Sequence, residues 1–482
     1  MEKGFFKKII HIANLALFLL IIFFMFCGTS SKITLLGRNF TISFWLSLVS
    51  LPLFIFSYFF VYKTKELNIV FVILIVLFAA LLFTSIISSI VLTPSYNHFG
   101  SEIPALVVLE ESVKYLFDIF LFLYLLFFVK YITQKQIDII LYTFMGLWVL
   151  TATIQFIVYL KPQSSIANIY DTIDLFGILV DSSTIDRARY EGFRLYSFLS
   201  EPSVNCIFLC GFVLPFLIYK ILNSKGKALA IMIHVILMLL FLVGALLTKS
   251  SAVYATLFAF FVAIVFAVFK NCCFSRKIKT IFAVSIFFVI TLFFIIPKSR
   301  ELIVYYMVEK IFSLNNLSTA YRYSTVYNDF LIFLKMPLFG CGDGLQGLFY
   351  FENISGTQLT ISYETNNSLT FKQGLLNGGA LIPSIVSGFG IFGVALIGFV
   401  LSKHFHYVKD RLFEVNEKNF WHVYSATLFS VFVALTVAIG LHRNFSLLFF
   451  LVLPFYKIGK YEINLSIKRI IWKTHSYHTI NI

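Results

Sequence analysis

Long apolar runs separated by polar connections recur along the whole chain. About twelve runs approach the 20 residues or so that a helix needs to cross a bilayer. They lie at 9–27, 42–62, 67–92, 113–129, 136–160, 203–220, 228–247, 252–269, 279–296, 378–402, 420–440 and 443–459. This pattern predicts an all-α polytopic membrane protein with about 12 transmembrane helices, which form a single integral membrane domain over residues 1–482.

Two connections, at 161–200 and 297–377, are much longer than the others. Both are rich in tyrosine and phenylalanine, so we expect them to fold rather than to remain disordered. In the second connection, Arg300–Ile311 and Tyr321–Leu334 have helical patterns, and the latter should end before Pro337. We therefore predict a helical cap, built from both connections, on the outer side of the membrane.

The second of these predicted helices has a recognisable side-chain pattern. A set of one arginine and four mostly aromatic residues recurs at spacings compatible with one helix face. The members are Arg322, Tyr323, Val326, Tyr327 and Phe330.

The composition agrees with a membrane protein, since 59% of residues are hydrophobic and only 13% are charged. The formal net charge is +15, but most of the 38 Lys and Arg residues fall in alternate connections between apolar runs. The positive-inside rule then places both termini, including a tail at 460–482, in the cytoplasm. No basic stripe typical of a nucleic-acid-binding surface is present, so we expect no nucleic-acid partner.

A compact polar stretch, Arg194 to Ser203, precedes the apolar run at 203–220. Ser200 suits a helix N-cap, while Glu201 and Pro202 suit the first helical turn. That structural interpretation does not account for Arg194 or for the charged residues before it. The alternative interpretation is a reaction site at the end of a membrane helix.

Three further groups of residues have both a structural and a functional interpretation. Gly340 and Gly342 could form an anion-binding nest or a turn between loop helices. Asn366 and Asn367 could cap a helix or line a cleft for sugar hydroxyls. The pair His442-Arg443 lies in a predicted outer turn and could be an interfacial anchor or part of a site.

The sequence contains no metal-binding motif such as Asp-x-Asp or His-Glu-x-x-His, so we expect no metal site and no cofactor. Four short motifs, two of which contain an arginine, follow one another along the chain. The order is Arg194-x6-Glu201-Pro-Ser, Thr248-Lys-Ser-Ser251, Arg322 with Pro337-Leu-Phe-Gly340-x-Gly342, and Asn366-Asn367-Ser368-Leu369 before a glycine-rich span.

This order of motifs, over roughly residues 190–400, resembles the O-antigen polymerase and ligase superfamily of bacterial polysaccharide glycosyltransferases. The resemblance implies a GT-C-like helix bundle in the bacterial cytoplasmic (inner) membrane. It also implies an undecaprenyl-diphosphate-linked oligosaccharide as both donor and acceptor, used on the outer face. A chain-length regulator protein would be a further partner, besides the lipid bilayer.

The resemblance favours a polymerase, which transfers the growing chain from its carrier lipid to the next lipid-linked repeat. Ligases commonly carry a histidine where this chain has Asn366-Asn367. A ligase that transfers the chain to lipid A-core, and a transporter or flippase of lipid-linked oligosaccharides, remain the alternatives. A flippase usually lacks an external cap and carries charges within its spans, whereas here the polar motifs lie towards one membrane face.

Arginine suits a diphosphate leaving group because its planar guanidinium binds phosphate oxygens bidentately. We therefore expect Arg194 and Arg322 to stabilise the diphosphate, and Glu201 to orient an arginine or to deprotonate the acceptor hydroxyl. The candidate substrate-binding residues are Arg443, His442, Asn366, Asn367, Gly340, Gly342 and Tyr323.

Overall fold

The computed structural model describes part of the chain. It covers residues 2–27, 32–35, 38–57, 121–160 apart from Phe122, 194–199 apart from Tyr196, 202–224, 227–270, 317–342, 346–349, 353, 380–437 and 449–458, with single positions at 280, 284, 291, 301, 304 and 305. Every structural statement below concerns these residues.

The described part of the chain is mainly helical, with one short hairpin and several non-helical connections. The elements are α1 (Glu2–Cys27), β1 (Lys32–Leu35), β2 (Arg38–Thr41), α2 (Ile42–Phe56), α3 (Gln134–Leu160), α4 (Asn205–Leu222), α5 (Ala228–Leu247), α6 (Ser251–Lys270), α7 (Leu317–Lys335), α8 (Leu381–Glu414), α9 (Lys418–Val437) and α10 (Phe449–Ile458). Short 3-10 helices occupy Pro202–Val204 and Gln346–Phe349. The strands β1 and β2 pair in antiparallel register, with Lys32 opposite Thr41 and Leu35 opposite Arg38.

Five of the described helices, α3, α4, α5, α8 and α9, are long and apolar enough to cross a membrane. The helical character and the membrane-spanning potential predicted from the hydrophobic pattern are thereby confirmed. The count of about 12 spans and the GT-C-like arrangement stay predictions. The spans predicted at 67–92 and 279–296 lie outside the described residues or coincide with isolated positions only.

The helix boundaries follow the apolar runs closely in the middle of the chain. The run predicted at 228–247 coincides with α5, and the run at 252–269 lies within α6. From Leu381 onward, the run predicted at 378–402 belongs to a longer helix, α8, which is bent at Gly390. The loop helix predicted at Tyr321–Leu334 is α7, which ends at Lys335, directly before Met336 and Pro337. Of the other predicted loop helix, Arg300–Ile311, only residues 301, 304 and 305 are described.

Charged side chains tie several helix ends together on one side of the bundle. Lys220 near the end of α4 pairs with Asp138 in the first turns of α3. Lys457 in α10 pairs with Glu417, which directly precedes α9, at 2.8 Å. All four residues border connections that the charge pattern assigns to one membrane face, so the structure groups these connections at one end.

The helix α4 is the most deeply buried of the five candidate spans. It begins with α-helical turns, winds as a π-helix over Phe208–Val213, and returns to an α-helix at Leu214. Gly211 lies in the π-helical part, where a side chain would collide with the ring of Phe450. The absence of a side chain at Gly211 therefore lets α10 approach α4 closely. π-Helical turns are frequent near functional sites.

The segment after α7 pairs with the bend of α8 through backbone hydrogen bonds. Cys341 N–H donates to the Ser387 carbonyl at 2.9 Å, and Ile391 N–H donates to the Pro337 carbonyl at 2.9 Å. Gly390 has φ of 60°, a conformation that side chains with a Cβ rarely adopt. A Cβ at this position would also collide with the backbone of Leu338. We call the paired segments 336–342 and 387–392 the glycine junction.

The glycine junction predicts a position-specific effect of alanine in α8. Gly390→Ala should lower the apparent Tm of the purified protein, because alanine would cost about 1–3 kcal/mol in a backbone conformation that is essentially confined to glycine and would also displace Leu338. Gly398→Ala is the matched control in the same helix, since nothing lies within 4 Å of a Cβ there. Equal Tm values for the two variants, measured by thermal unfolding in detergent, would contradict the close approach at Gly390.

Candidate functional site

The segment from Arg194 to Leu199 is not helical, and it lies alongside the C-terminal half of α3 rather than beyond the end of that helix. Gln155 of α3 bonds to the segment twice. Its amide group donates to the Arg194 carbonyl at 3.2 Å, and its side-chain oxygen accepts from Ser197 N–H at 3.0 Å. The Leu195 N–H donates to the carbonyl of Leu247 at the end of α5. Irregular backbone inside a membrane bundle needs such partners, because no water reaches it.

Ser197 occupies a strained and fully enclosed position in this segment. Its φ is 60°, although it is not a glycine, and its side chain is 2% exposed. The hydroxyl lies 3.0 Å from the Trp148 carbonyl and 2.6 Å from the Thr151 hydroxyl. The indole N–H of Trp148 in turn donates to the side-chain oxygen of Asn205, the first residue of α4. Strain held in place by neighbours is common at functional sites.

The guanidinium of Arg194 reaches the turn between α5 and α6. One of its terminal nitrogens, Nη2, donates to the carbonyl of Lys249 at 3.4 Å. Lys249 is a second non-glycine residue with positive φ, at 48°. Thr248, Ser250 and Ser251 around it are buried, so the motif Thr248-Lys-Ser-Ser251 forms the enclosed turn at which α6 begins.

Arg322 lies near the start of α7. An electrostatic interaction links its guanidinium to the Cys206 thiol, in the first turn of α4. The first residues of α4 also pack against α6. The two arginines therefore reach the same part of the bundle: Arg194 at the start of α6, and Arg322 at the start of α4.

The helix α7 turns a polar face towards the protein. The buried residues on this face are Ser324, Thr325, Asn328, Asp329 and Ile332. Asp329 is 1% exposed and accepts a hydrogen bond of 2.8 Å from the hydroxyl of Ser387 in α8. This contact fastens α7 directly to the glycine junction.

The neighbouring amides extend this polar contact. Asn328 donates to the Gln346 carbonyl at 3.0 Å, and the amide of Gln346 donates to the Ser384 carbonyl of α8 at 3.1 Å. Asn353 donates to the side-chain oxygen of Asn328 and accepts from Lys335, each at 2.8 Å. The polar network, and not apolar packing alone, holds α7 against α8.

Four mostly aromatic residues of α7 lie on the side away from this contact. Tyr323, Val326, Tyr327 and Phe330 are exposed, at 36–54% of their full area. The sequence predicted that they share a face with Arg322; instead Arg322 is half-buried, at the edge of the polar face next to Asp329. The difference follows from geometry, since Arg322 precedes Tyr323 by one residue and is rotated by about 100° from it.

Gly340 and Gly342 have positive φ, at 69° and 91°. The backbone N–H groups of residues 340, 341 and 342 donate to the carbonyls of Met336, Ser387 and Gly388. These amides are therefore already hydrogen-bonded within the protein. A Cβ at Gly340 would collide with the Gly388 backbone. Of the two interpretations of the glycines, the turn that connects two segments fits this geometry.

Cys341 lies inside the glycine junction and is fully buried. Burial raises the pKa of its thiol, and the nearby Asp329 carboxylate raises it further. A thiol in such surroundings stays protonated at neutral pH and is a poor nucleophile. Its role is therefore in packing.

Five of the predicted site residues lie outside the described residues. They are Glu201, Asn366, Asn367, His442 and Arg443. Within the part that is described, no group of three or more His, Cys, Asp or Glu side chains is placed to hold a metal ion.

Two residues of this region were not predicted from the sequence. Gln155 is a buried amide in an otherwise apolar stretch of α3, and Asp329 is the only acidic residue in α7. A buried amide in an apolar stretch and a single carboxylate in a helix are signals that could have singled these two residues out. Comparison of the chain with protein-family models finds no match, and comparison with curated protein sequences finds none either.

The role of Gln155 can be tested by removing its hydrogen bonds. Gln155→Leu leaves the Ser197 N–H and the Arg194 carbonyl without this partner, so the apparent Tm should fall by an amount equivalent to about 1–3 kcal/mol. Thr153→Val is the control, because the Thr153 hydroxyl donates to the Val149 carbonyl of its own helix and Thr153 is exposed. A Gln155→Leu variant as stable as Thr153→Val would show that Gln155 does not hold the segment.

Proposed function

We propose that this chain is a membrane glycosyltransferase of the GT-C type that polymerises lipid-linked oligosaccharide repeat units, such as those of O-antigen. It would transfer the growing chain from undecaprenyl diphosphate to the next lipid-linked repeat. The observation that supports the proposal best is the approach of Arg194 and Arg322 to the first turns of α6 and α4. Two arginines held near two helix N-termini form an environment suited to an anion such as a diphosphate.

The leaving group determines what such a site must do. As the bond between the anomeric carbon and the diphosphate oxygen breaks, the electron pair goes to the diphosphate, whose negative charge grows. Guanidinium groups with fixed orientation stabilise this charge more in the transition state than in the ground state. The hydrogen bond from Arg194 to the Lys249 carbonyl, and the bonds from Gln155 to the Arg194–Ser197 segment, would provide that orientation.

The acceptor sugar completes the reaction. One of its hydroxyl oxygens forms the new bond to the anomeric carbon, and its proton passes to a base, for which we propose Glu201. Asp329 is less suited to that role, because it is buried and accepts a hydrogen bond from Ser387. We assign Asp329 a positioning function: it holds α7, and with it Arg322, against α8.

A lipid-linked substrate also fits the outward face of α7. Its exposed tyrosines and phenylalanine resemble the residues that membrane proteins place at the level of the lipid headgroups. In the proposed arrangement, this face contacts the bilayer while the polar face binds α8. The diphosphate of a carrier lipid would then lie at the depth of the arginines.

The remaining features of the proposal come from the sequence pattern. They are about twelve spans, both termini in the cytoplasm, a bacterial inner membrane, and an outer cap that includes α7. Asn366, Asn367, His442 and Arg443 would line the acceptor side, and a chain-length regulator would be a protein partner. A ligase would use the same leaving group with a different acceptor, so the identity of the product distinguishes the two enzymes.

Substitution of the arginines tests the proposal directly. Arg194→Ala and Arg322→Ala should each lower the rate of polymer formation by about 100-fold or more, because each removes a donor to the developing charge. Arg194→Lys should also be impaired, since a point charge does not replace a planar, bidentate group. The measurement is the ladder of chain lengths that the purified protein forms from one defined lipid-linked repeat unit, with and without a chelator.

Arg411→Ala is the matched control, because Arg411 is an exposed arginine that pairs with Glu414 in α8. It should leave the ladder unchanged. Full-length polymer from both Arg194→Ala and Arg322→Ala would refute the catalytic assignment. Movement of an intact lipid-linked repeat across a vesicle membrane, without any polymer, would instead support a flippase.

A further inference from the structure

A cavity of about 380 Å³ opens at the other end of the bundle, away from the arginines. Its lining comes from the start of α3, the end of α4, the start of α5 and the end of α10. The lining residues are Gln134, Tyr219, Lys220, Asn223, Ser224, Lys227, Ala230, His234 and Lys457. We call this the lysine cavity. From its geometry we infer that it binds the phosphate group of an anionic lipid.

The charge of the lining is the first argument. Three lysines from three separate segments, Lys220, Lys227 and Lys457, line the cavity, and none of its described lining residues is a carboxylate. Asp138 and Glu417 pair with Lys220 and Lys457 but are not part of the lining. The carboxylates therefore hold two of the ammonium groups in position, and Lys227 supplies the net positive charge of the described lining.

The surroundings of Lys457 show how firmly such an ammonium group is held. It donates to the Glu417 carboxylate at 2.8 Å and to the Tyr219 hydroxyl at 2.6 Å. The same group lies 4.9 Å from the centroid of the Tyr219 ring and 5.5 Å from that of Tyr456. A lysine fixed in this way loses little conformational entropy when an anion binds, which favours binding.

Lys227 differs from the other two lysines. Within the described residues, no carboxylate pairs with it, and its side chain is exposed. It immediately precedes α5, a 20-residue apolar helix whose first turn has no side-chain cap. The side chain of Lys227 is positively charged, and the N–H groups of the uncapped first turn carry a partial positive charge. Both favour an anion in the lysine cavity.

The position of the cavity relative to the membrane surface argues for a lipid as the source of the phosphate. A helix of 20 residues is about 30 Å long, which is the thickness of the hydrocarbon core. Lys227 adjoins one end of that length in α5, so it lies at headgroup level whichever way the helix is oriented. The polar side chains of Asn223, Ser224 and Gln134 supply further hydrogen-bonding groups in the cavity. Basic pockets of this kind between membrane helices suit phosphate headgroups.

Lipid retention by variants of the full-length protein tests this inference. The protein is purified, delipidated in detergent and titrated with phosphatidylglycerol or phosphatidylcholine, and bound lipid is counted by native mass spectrometry. Phosphatidylglycerol should bind in preference to phosphatidylcholine. Lys227→Gln should weaken the affinity for phosphatidylglycerol by about fivefold, the effect of one lysine near a headgroup, and Lys227→Glu should weaken it more.

Lys409→Gln is the matched control, because Lys409 is a lysine on α8 that lies over the Phe413 ring and does not line the cavity. It should bind phosphatidylglycerol as the unmodified protein does. A second arm adds inorganic phosphate or pyrophosphate and follows the apparent Tm. A rise in Tm that needs Lys227, without retained phosphatidylglycerol, would assign the same site to a soluble phosphate instead.

Two results would overturn the inference. One is equal retention of phosphatidylglycerol and phosphatidylcholine, and the other is retention by Lys227→Gln equal to that of Lys409→Gln together with no phosphate effect on Tm. The inference does not depend on the proposed glycosyltransferase activity, because both arms measure binding alone at the end remote from Arg194.

Discussion

Irregular backbone can lie within a membrane bundle only where its N–H and C=O groups find partners in the protein. Two segments of this chain meet that condition in the same way. Gln155 of α3 supplies a donor and an acceptor to the segment at 194–199, and the bend of α8 supplies backbone carbonyls to residues 341 and 342. These bonds give Arg194 a defined position, and the hydrogen bond from Ser387 to Asp329 fixes α7, which carries Arg322.

The two ends of the bundle carry different cationic side chains with different partners. At one end, Arg194 reaches a backbone carbonyl in a strained turn, and Arg322 lies at the edge of a polar helix face that is closed by Asp329 and Ser387. At the other end, Lys220 and Lys457 are paired with carboxylates, and these two lysines line a cavity together with Lys227. Planar arginines suit a reacting diphosphate, whereas lysines suit the looser contacts of a lipid headgroup. The proposed division of the protein into a reacting end and a lipid-anchoring end follows from this chemistry.

Sequence reasoning located the candidate site better than it described the site. It singled out Arg194 and the serine-rich turn at 248–251, which the structure places in contact. It assigned Arg322 to the same face as four exposed residues, because the spacing of residues along the sequence defines a helix face only to within about one residue. It left the glycines at 340 and 342 between two interpretations, since the partner of the Gly342 amide, the Gly388 carbonyl, lies far along the chain. The importance of Gln155 and Asp329 became clear only from what they touch.

The apolar runs by themselves determined the helical character of the protein and several helix boundaries. Hydrophobicity over about 20 consecutive residues is a local property, so the sequence contains all of it. The tertiary structure decided which polar groups meet, because these pairs join distant positions: Gln155 and Ser197 are 42 residues apart, Ser387 and Asp329 are 58 apart, and Lys457 and Tyr219 are 238 apart. A hydrogen bond needs its two heavy atoms within about 3 Å. No local pattern specifies such a distance, and only the packing of the helices does.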